Sequence, residues 1–271
     1  MYARPNIRHR NLWSVESLSP AEIRDVLDTA RRLRLAGQTG QAGAPLRGRN
    51  LALLHESPPD AAADGLRSAA VGLGAQVSHL RPVDARISPA GADAATLRML
   101  GRLYDAIDCE ALPPALVADV ARETGVPVFN GLGHVRHPTR VLAELLVMQE
   151  HSGKALDSLS VRFVGDPTSP CGEALLRAAA ATGIELRVAS PRDRWPPPEL
   201  WEALKAGAVA RGQRLHLFES ADQAGDDIDL TVDAANDPPW PLSRRGAGMV
   251  GHERSDYRQA TLQAMLVAAI N

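Results

Sequence analysis

The side chains able to do chemistry in this chain are scattered carboxylates, arginines and a histidine set just before a proline. Glu56, Asp60, Arg98, Glu110, Asn130, His137, Arg140 and Asp166 form the candidate lining of a cleft. The set mixes acids and bases, so it suits a zwitterionic or cationic ligand better than a phosphate. Glu56, Asp60 and Glu110 together with His137 are able to run acid–base chemistry. The competing reading is that these charges satisfy loop amides. Asp60 opens an alanine-rich helical stretch, and at an N-cap its carboxylate takes the amides that an anion would need. Metal chemistry is not indicated. The two cysteines, Cys109 and Cys171, have no CxxC or Cys/His spacing and read as buried small apolar side chains. "GLGHVR" and "GAGMVG" lack the strand–GxGxxG–helix context of a phosphate cradle, so no nucleotide cofactor is expected.

These residues need a scaffold, and the hydrophobic pattern supplies one. "SLSPAEIRDVLDTARRLRLAG" predicts a helix with Ser19 at the N-cap, Pro20 at N1 and Glu22 at N3, a capping box. Alternating strands and helices follow: strands over 50–56, 75–80, 104–110 and 126–130, and helices over 61–74, 93–103 and 114–125. A long amphipathic helix runs from near Pro138 to about His151. The pattern restarts with a strand at 159–166, a helix at roughly 172–182 and a strand at 184–190. A further helix and strands at 214–220 and 227–233 follow. Residues 233–256 are rich in Pro and Gly and read as a loop; a closing helix ends the chain. Two β-α series joined by a helix predict two doubly wound, Rossmann-like parallel-sheet domains.

Composition narrows the function classes. The chain has 271 residues, a formal net charge of −2 and no long run of one charge sign, which argues against a nucleic-acid or membrane-surface partner. Lysine occurs only at Lys154 and Lys205, so arginine does the ordinary surface work of a base and carries less functional weight. No apolar run approaches the roughly 18 residues of a membrane span. The first residues lack a signal-peptide core, so cytoplasmic residence is expected.

The segments "LSPAEI", "LRGRNLALLHE", "AAVGLGAQVSHL", "RMLGRLYDAI", "VPVFNGL", "HPTRVLAELLVMQEHSGK", "VGD" and "RQATLQAMLVA" stand in an order that resembles the aspartate/ornithine carbamoyltransferase family, ornithine carbamoyltransferase most of all. The resemblance implies a carbamoyl-phosphate-binding-like domain over 1–138 plus 256–271, whose last helix returns to it. It also implies a linker helix at 139–151 and a shortened amino-acid-binding-like domain at 152–255. A homotrimer with active sites at subunit boundaries follows in the same way.

The family's chemistry is only partly matched. Its Ser-Thr-Arg-Thr-Arg phosphate turn aligns with Pro59, Asp60, Ala61, Ala62 and Ala63, which offer no arginine or hydroxyl. Each lost hydrogen bond to a charged group is worth about 1.5–3 kcal/mol. The stretch "ISPAGADAATLR", aligned with the loop that reaches a neighbouring subunit, has no lysine or histidine. The arginine aimed at the carbonyl aligns with Glu110, a charge reversal. His137 matches the histidine of the His-Pro-Thr-Gln loop, kept for function or for loop structure; Arg140 takes the Gln position, as a replacement charge or a surface arginine. Arg258 matches an arginine near the final helix. The Asn-rich turn reads "DPTSPCGEA", and the Asp-x-x-x-Ser-Met-Gly and His-Cys-Leu-Pro motifs are absent. The expectation is a carbamoyltransferase-fold protein that has lost carbamoyl phosphate binding. It is either a pseudoenzyme or an enzyme repurposed to a small amino compound through the interdomain cleft. The alternative is a divergent active carbamoyltransferase completed by a partner chain in a mixed oligomer.

Overall fold

The computed structural model describes residues 11–13, 15, 18–40, 43–56, 61–88, 91–110, 112–134, 136–210, 212, 214–236, 240–244, 248–249 and 254–271. They divide into two compact units. The first takes the described residues up to Trp13, Asp25–His137 and Arg258–Asn271; the second takes those between there and Arg24, and Pro138–Tyr257.

Helix α1 (Pro20–Gln38) starts on the capping box its sequence predicts. The Ser19 amide donates to Glu22 Oε2 at 2.6 Å, and the Glu22 amide donates to Ser19 Oγ at 3.3 Å. Ile23, Val26, Leu27 and Ala30, spaced at three and four residues, are all buried. Strand β1 (Asn50–Leu54), helix α2 (Ala61–Gly72) and strand β2 (Gln76–Leu80) follow. A short hairpin, β3 (Ile87–Ser88) and β4 (Gly91–Ala92), precedes helix α3 (Ala94–Leu103), which Asp93 caps by accepting from the Thr96 amide. Strand β5 (Ala106–Cys109), helix α4 (Pro114–Thr124) and strand β6 (Val128–Phe129) complete a parallel sheet of order β2-β1-β5-β6. Leu54 pairs with both Leu80 and Cys109, and Phe129 with Asp108. His55, Glu110 and Asn130 are thus the first residues past adjacent strand ends. Ile107 and Cys109 pack with Leu97, Leu100, Leu116, Val117 and Val120 of α3 and α4. Strand alternation turns Asp108 to the other face.

The second unit begins with a 3-10 turn at Pro138–Arg140 that leads into helix α5 (Val141–Ser152). The sequence predicts an amphipathic helix here, but Val141–Met148 are buried without a break, including the Glu144 carboxylate. A helix buried all round belongs to a core. Strand β7 (Ser160–Gly165), helix α6 (Pro170–Thr182), strand β8 (Glu185–Ala189), helix α7 (Pro198–Val209), strand β9 (Leu215–Phe218) and strand β10 (Leu230–Ala234) form parallel β-α repeats. Residues 233–256, expected to be a loop, contain strands β11 (Leu242–Arg244) and β12 (Gly248–Met249). These extend the sheet antiparallel, in order β12-β11-β10-β7-β8-β9. Trp240 fixes their start: its indole N–H donates to the Asn236 carbonyl at 2.9 Å, and its ring meets Phe163 edge-on at 5.7 Å.

The step from β9 to β10 carries only a 3-10 turn, Asp222–Ala224, where a doubly wound fold would place a helix. Two arginines strap it to the sheet. Arg162 and Arg187 are register neighbours on β7 and β8. Arg162 Nη1 donates to the Gly225 carbonyl at 3.1 Å, and Arg187 Nη1 to the Ala224 carbonyl at 3.0 Å. Helix α8 (Arg254–Ile270) closes the chain and returns from Arg258 onward to the first unit. No described helix is long and apolar enough to cross a membrane.

Candidate functional site

The C-terminal edge of a parallel sheet is where ligands of this architecture bind, and in the first unit that edge carries a buried polar chain. His55 is 4% exposed and lies between two carboxylates. Its Nε2 is 3.1 Å from Asp108 Oδ2 and its Nδ1 is 3.3 Å from Glu110 Oε2. Asp108 is buried, whereas the Glu110 side chain keeps 25% exposure and forms the open end of the cluster. The other Asp108 oxygen accepts from the Leu132 amide at 2.9 Å. The Leu132 carbonyl accepts from the Arg258 guanidinium of α8. Leu132 is therefore gripped at both its backbone groups, by a carboxylate and by an arginine.

The Leu132 grip fixes the loop that carries His137. Gly131, at φ 70°, turns the chain away from β6 and lies beside the Glu110 side chain. The His134 amide donates to the Gly131 carbonyl at 2.9 Å and the His137 amide to the His134 carbonyl at 3.1 Å. His137 is 5% exposed. Burial, with the Arg258 guanidinium and then His134 adding like-charge repulsion, pushes its imidazole down to about 3. At neutral pH it is an uncharged ring able to offer one N–H. The structure thus gathers Glu110, His137 and Arg258 along one connected path. His55 and Asp108 belong to it too, and the sequence reading missed both. The available signal was an acidic residue inside the otherwise apolar strand "AIDC" and a histidine closing "LALL".

The remaining candidates stand elsewhere. Arg98 projects from α3 to Glu123 of α4 at 2.9 Å and is exposed. Asn130 and Glu56 are exposed; Glu56 adds a weak field at Arg81, which pairs with Asp84. Asp60 lies outside the described residues. Arg140 and Asp166 belong to the second unit. Arg140 ends the 3-10 turn before α5 and is partly buried. Asp166 follows β7. Burial raises its carboxyl, but hydrogen bonds from the Thr168 hydroxyl and amide outweigh this and hold it below the ordinary carboxylate range. Ser169 caps α6 by accepting from the Gly172 amide at 3.1 Å. A Cβ at Gly172 would fall 2.3 Å from the Asp166 carbonyl oxygen, so this turn requires glycine. Cys109 and Cys171 are both buried and neither forms a disulfide, and burial pushes the Cys109 thiol far up. Among the described residues no cluster of His, Cys, Asp and Glu is arranged to hold a metal ion.

Comparison with known proteins adds a family. The sequence model described as "Aspartate/ornithine carbamoyltransferase, carbamoyl-P binding domain" matches residues 10–150. Catabolic ornithine carbamoyltransferase of Pseudomonas putida is 37% identical over 225 residues, 83% of this chain and 67% of that protein. The Burkholderia mallei protein of the same name is 34% identical over the same span. Among solved structures, ornithine carbamoyltransferase from Pyrococcus furiosus superimposes with a TM-score of 0.77 at 21% identity, covering 98% of both chains. A putative aspartate carbamoyltransferase from Trypanosoma cruzi does so with a TM-score of 0.76 at 16% identity, covering all of both chains. At those identities the structural likeness speaks for the fold.

Proposed function

This chain belongs to the aspartate/ornithine carbamoyltransferase family, and we propose that within it the chain has given up carbamoyl phosphate for a small cationic or zwitterionic amino compound. The observation that carries this reading is Glu110. An anion site at the C-terminal edge of the first sheet needs a cation or free amides there. It meets instead a partly exposed carboxylate, backed by a second carboxylate at Asp108. The sequence at the phosphate turn, Pro59-Asp60-Ala61-Ala62-Ala63, points the same way. A dianion beside Glu110 is repelled; an ammonium group is attracted. Neutral His137 adds no charge to this edge. In this reading the protein is a pseudoenzyme or an enzyme repurposed to another substrate.

A ligand that binds only the folded protein stabilises it by RT ln(1 + [L]/Kd), about 2.7 kcal/mol at a hundredfold excess, a melting shift of a few degrees at this size. Melting is compared with L-ornithine, putrescine, carbamoyl phosphate and inorganic phosphate, for the wild type and Glu110→Arg. A shift with an amino compound that Glu110→Arg removes is expected. A shift with the phosphates on wild type would overturn the proposal. Carbamoyl transfer to ornithine or aspartate should not exceed that of His137→Ala.

A second reading, an active carbamoyltransferase completed by a partner chain, draws on His137 and Arg258, the two side chains that match family positions. Activity that appears only on mixing with a homologous active chain would favour it. For the purified chain by itself the family resemblance leads us to propose a homotrimer; the second reading needs a mixed oligomer. Light scattering that shows a monomer at micromolar concentration would contradict this.

A further inference from the structure

We infer that His55 is doubly protonated in the folded protein at neutral pH and acts as a positioning residue, a cation enclosed by two carboxylates that fixes Glu110 at the sheet edge and Asp108 beneath the 131–137 loop. The inference rests on hydrogen count and geometry and holds whatever ligand the edge takes. Each ring nitrogen faces a carboxylate oxygen, at 3.1 and 3.3 Å. A neutral imidazole has one N–H, so one of its nitrogens would present a lone pair to a lone pair. The imidazolium has a donor for each. Asp108 is unsuited to supply the missing proton, because its second oxygen already accepts from the Leu132 amide and a carboxylate accepts best when ionised.

Charge balance leads to the same place. Asp108 and Glu110 bring two negative charges into a largely buried region; Arg258, reaching the Leu132 carbonyl, brings one positive charge, and His137 is neutral. A cationic His55 gives the buried Asp108 carboxylate its partner, since buried charge is tolerated only when paired, and leaves the more exposed Glu110 as the carboxylate that meets the sheet edge. Among the described residues, His79 of β2, whose ring meets that of His55 edge-on at 6.2 Å, and the adjacent Glu56 are further titratable groups near the ring, both exposed. Because Asp108 holds the Leu132 amide, the proton on His55 reaches the His137 loop through one carboxylate.

The sign of the pH effect follows. A histidine that keeps its proton better folded than unfolded contributes stability that is complete below the unfolded value, about 6.5. That stability is lost as pH rises through the folded one. The test is ring-nitrogen NMR of the full-length, 15N-histidine-labelled protein, with the His55 signals assigned by their loss in His55→Gln. Two protonated ring nitrogens at pH 7.5 are expected, losing a proton only above the ordinary histidine value of about 6.5. Glu110→Gln should lower that titration. Asp108→Asn should speed exchange of the Leu132 amide at least about tenfold. One protonated and one bare nitrogen at pH 7.5 would overturn the charge assignment, including the case in which Glu110 holds the proton. Unchanged Leu132 exchange in Asp108→Asn would overturn the positioning role.

Discussion

A histidine buried beside an arginine makes a prediction before its role is known. His137 is pushed down to about 3, by burial first and by Arg258 and His134 after that. Between that value and the roughly 6.5 of an unfolded histidine, the unfolded chain binds a proton that the folded one refuses. Stability therefore falls as pH drops below about 6.5, by up to about 1.4 kcal/mol per pH unit for this one group. Urea midpoints measured from pH 7 to pH 4.5 should show that slope in the wild type and a shallower one in His137→Gln. Equal slopes would mean that the ring is not excluded from its proton. The limb is opposite in sign to the one expected of His55, so two histidines joined through Leu132 bound stability from the acid and the alkaline sides.

At the scale of elements, the contact between α3 and α4 shows how little room the first unit leaves. A Cβ at Gly101 would fall 2.1 Å from the Thr124 carbonyl oxygen, a contact only backbone movement can relieve. Overpacking of this kind costs about 1–3 kcal/mol. The Arg98–Glu123 ion pair spans the same two helices but is exposed on the arginine side, a class worth about 0–1 kcal/mol. Urea titration should find Gly101→Ala clearly more damaging than Arg98→Ala; the reverse order would mean that charge, not close approach, holds the two helices. Such close approaches are hard to see in a sequence, where Gly101 is a glycine inside a helical pattern. What could be read was local. The Ser19–Glu22 box depends on neighbours a few residues away. What could not be read depended on distant partners. Strands β11 and β12 hide in Pro- and Gly-rich sequence because β10 supplies their pairing. The helix expected to be amphipathic buries Glu144 together with its apolar residues. The pairing of His55 with Asp108 spans 53 positions and needs the register of β1 and β5.

The whole molecule builds its first unit from separate stretches of chain, and the last of them is α8. Leu262, Met265, Leu266 and Ile270 of that helix are each at most 4% exposed. Burying a side chain of that size contributes about 1.5–3 kcal/mol, so the four together match much of the roughly 5–15 kcal/mol by which a protein is stable. Directional contacts add to this. Gln263 donates to the Ala69 carbonyl of α2, Asn271 to the Pro45 carbonyl before β1, and Arg258 to Leu132 in the His137 loop. The helix therefore contacts both ends of the β1–α2 region and the candidate site, while β7, β8 and β10 take their pairing from one another. A chain ending at Tyr257 should lose amide protection in β1 and β5 and keep it in β7 and β8, as hydrogen exchange read by mass spectrometry would reveal. Because Leu132 loses its arginine, the 131–137 loop should exchange fastest of all in that variant. Undiminished protection of β1 and β5 would mean that the first unit is held by its own β-α repeats and that α8 only covers it.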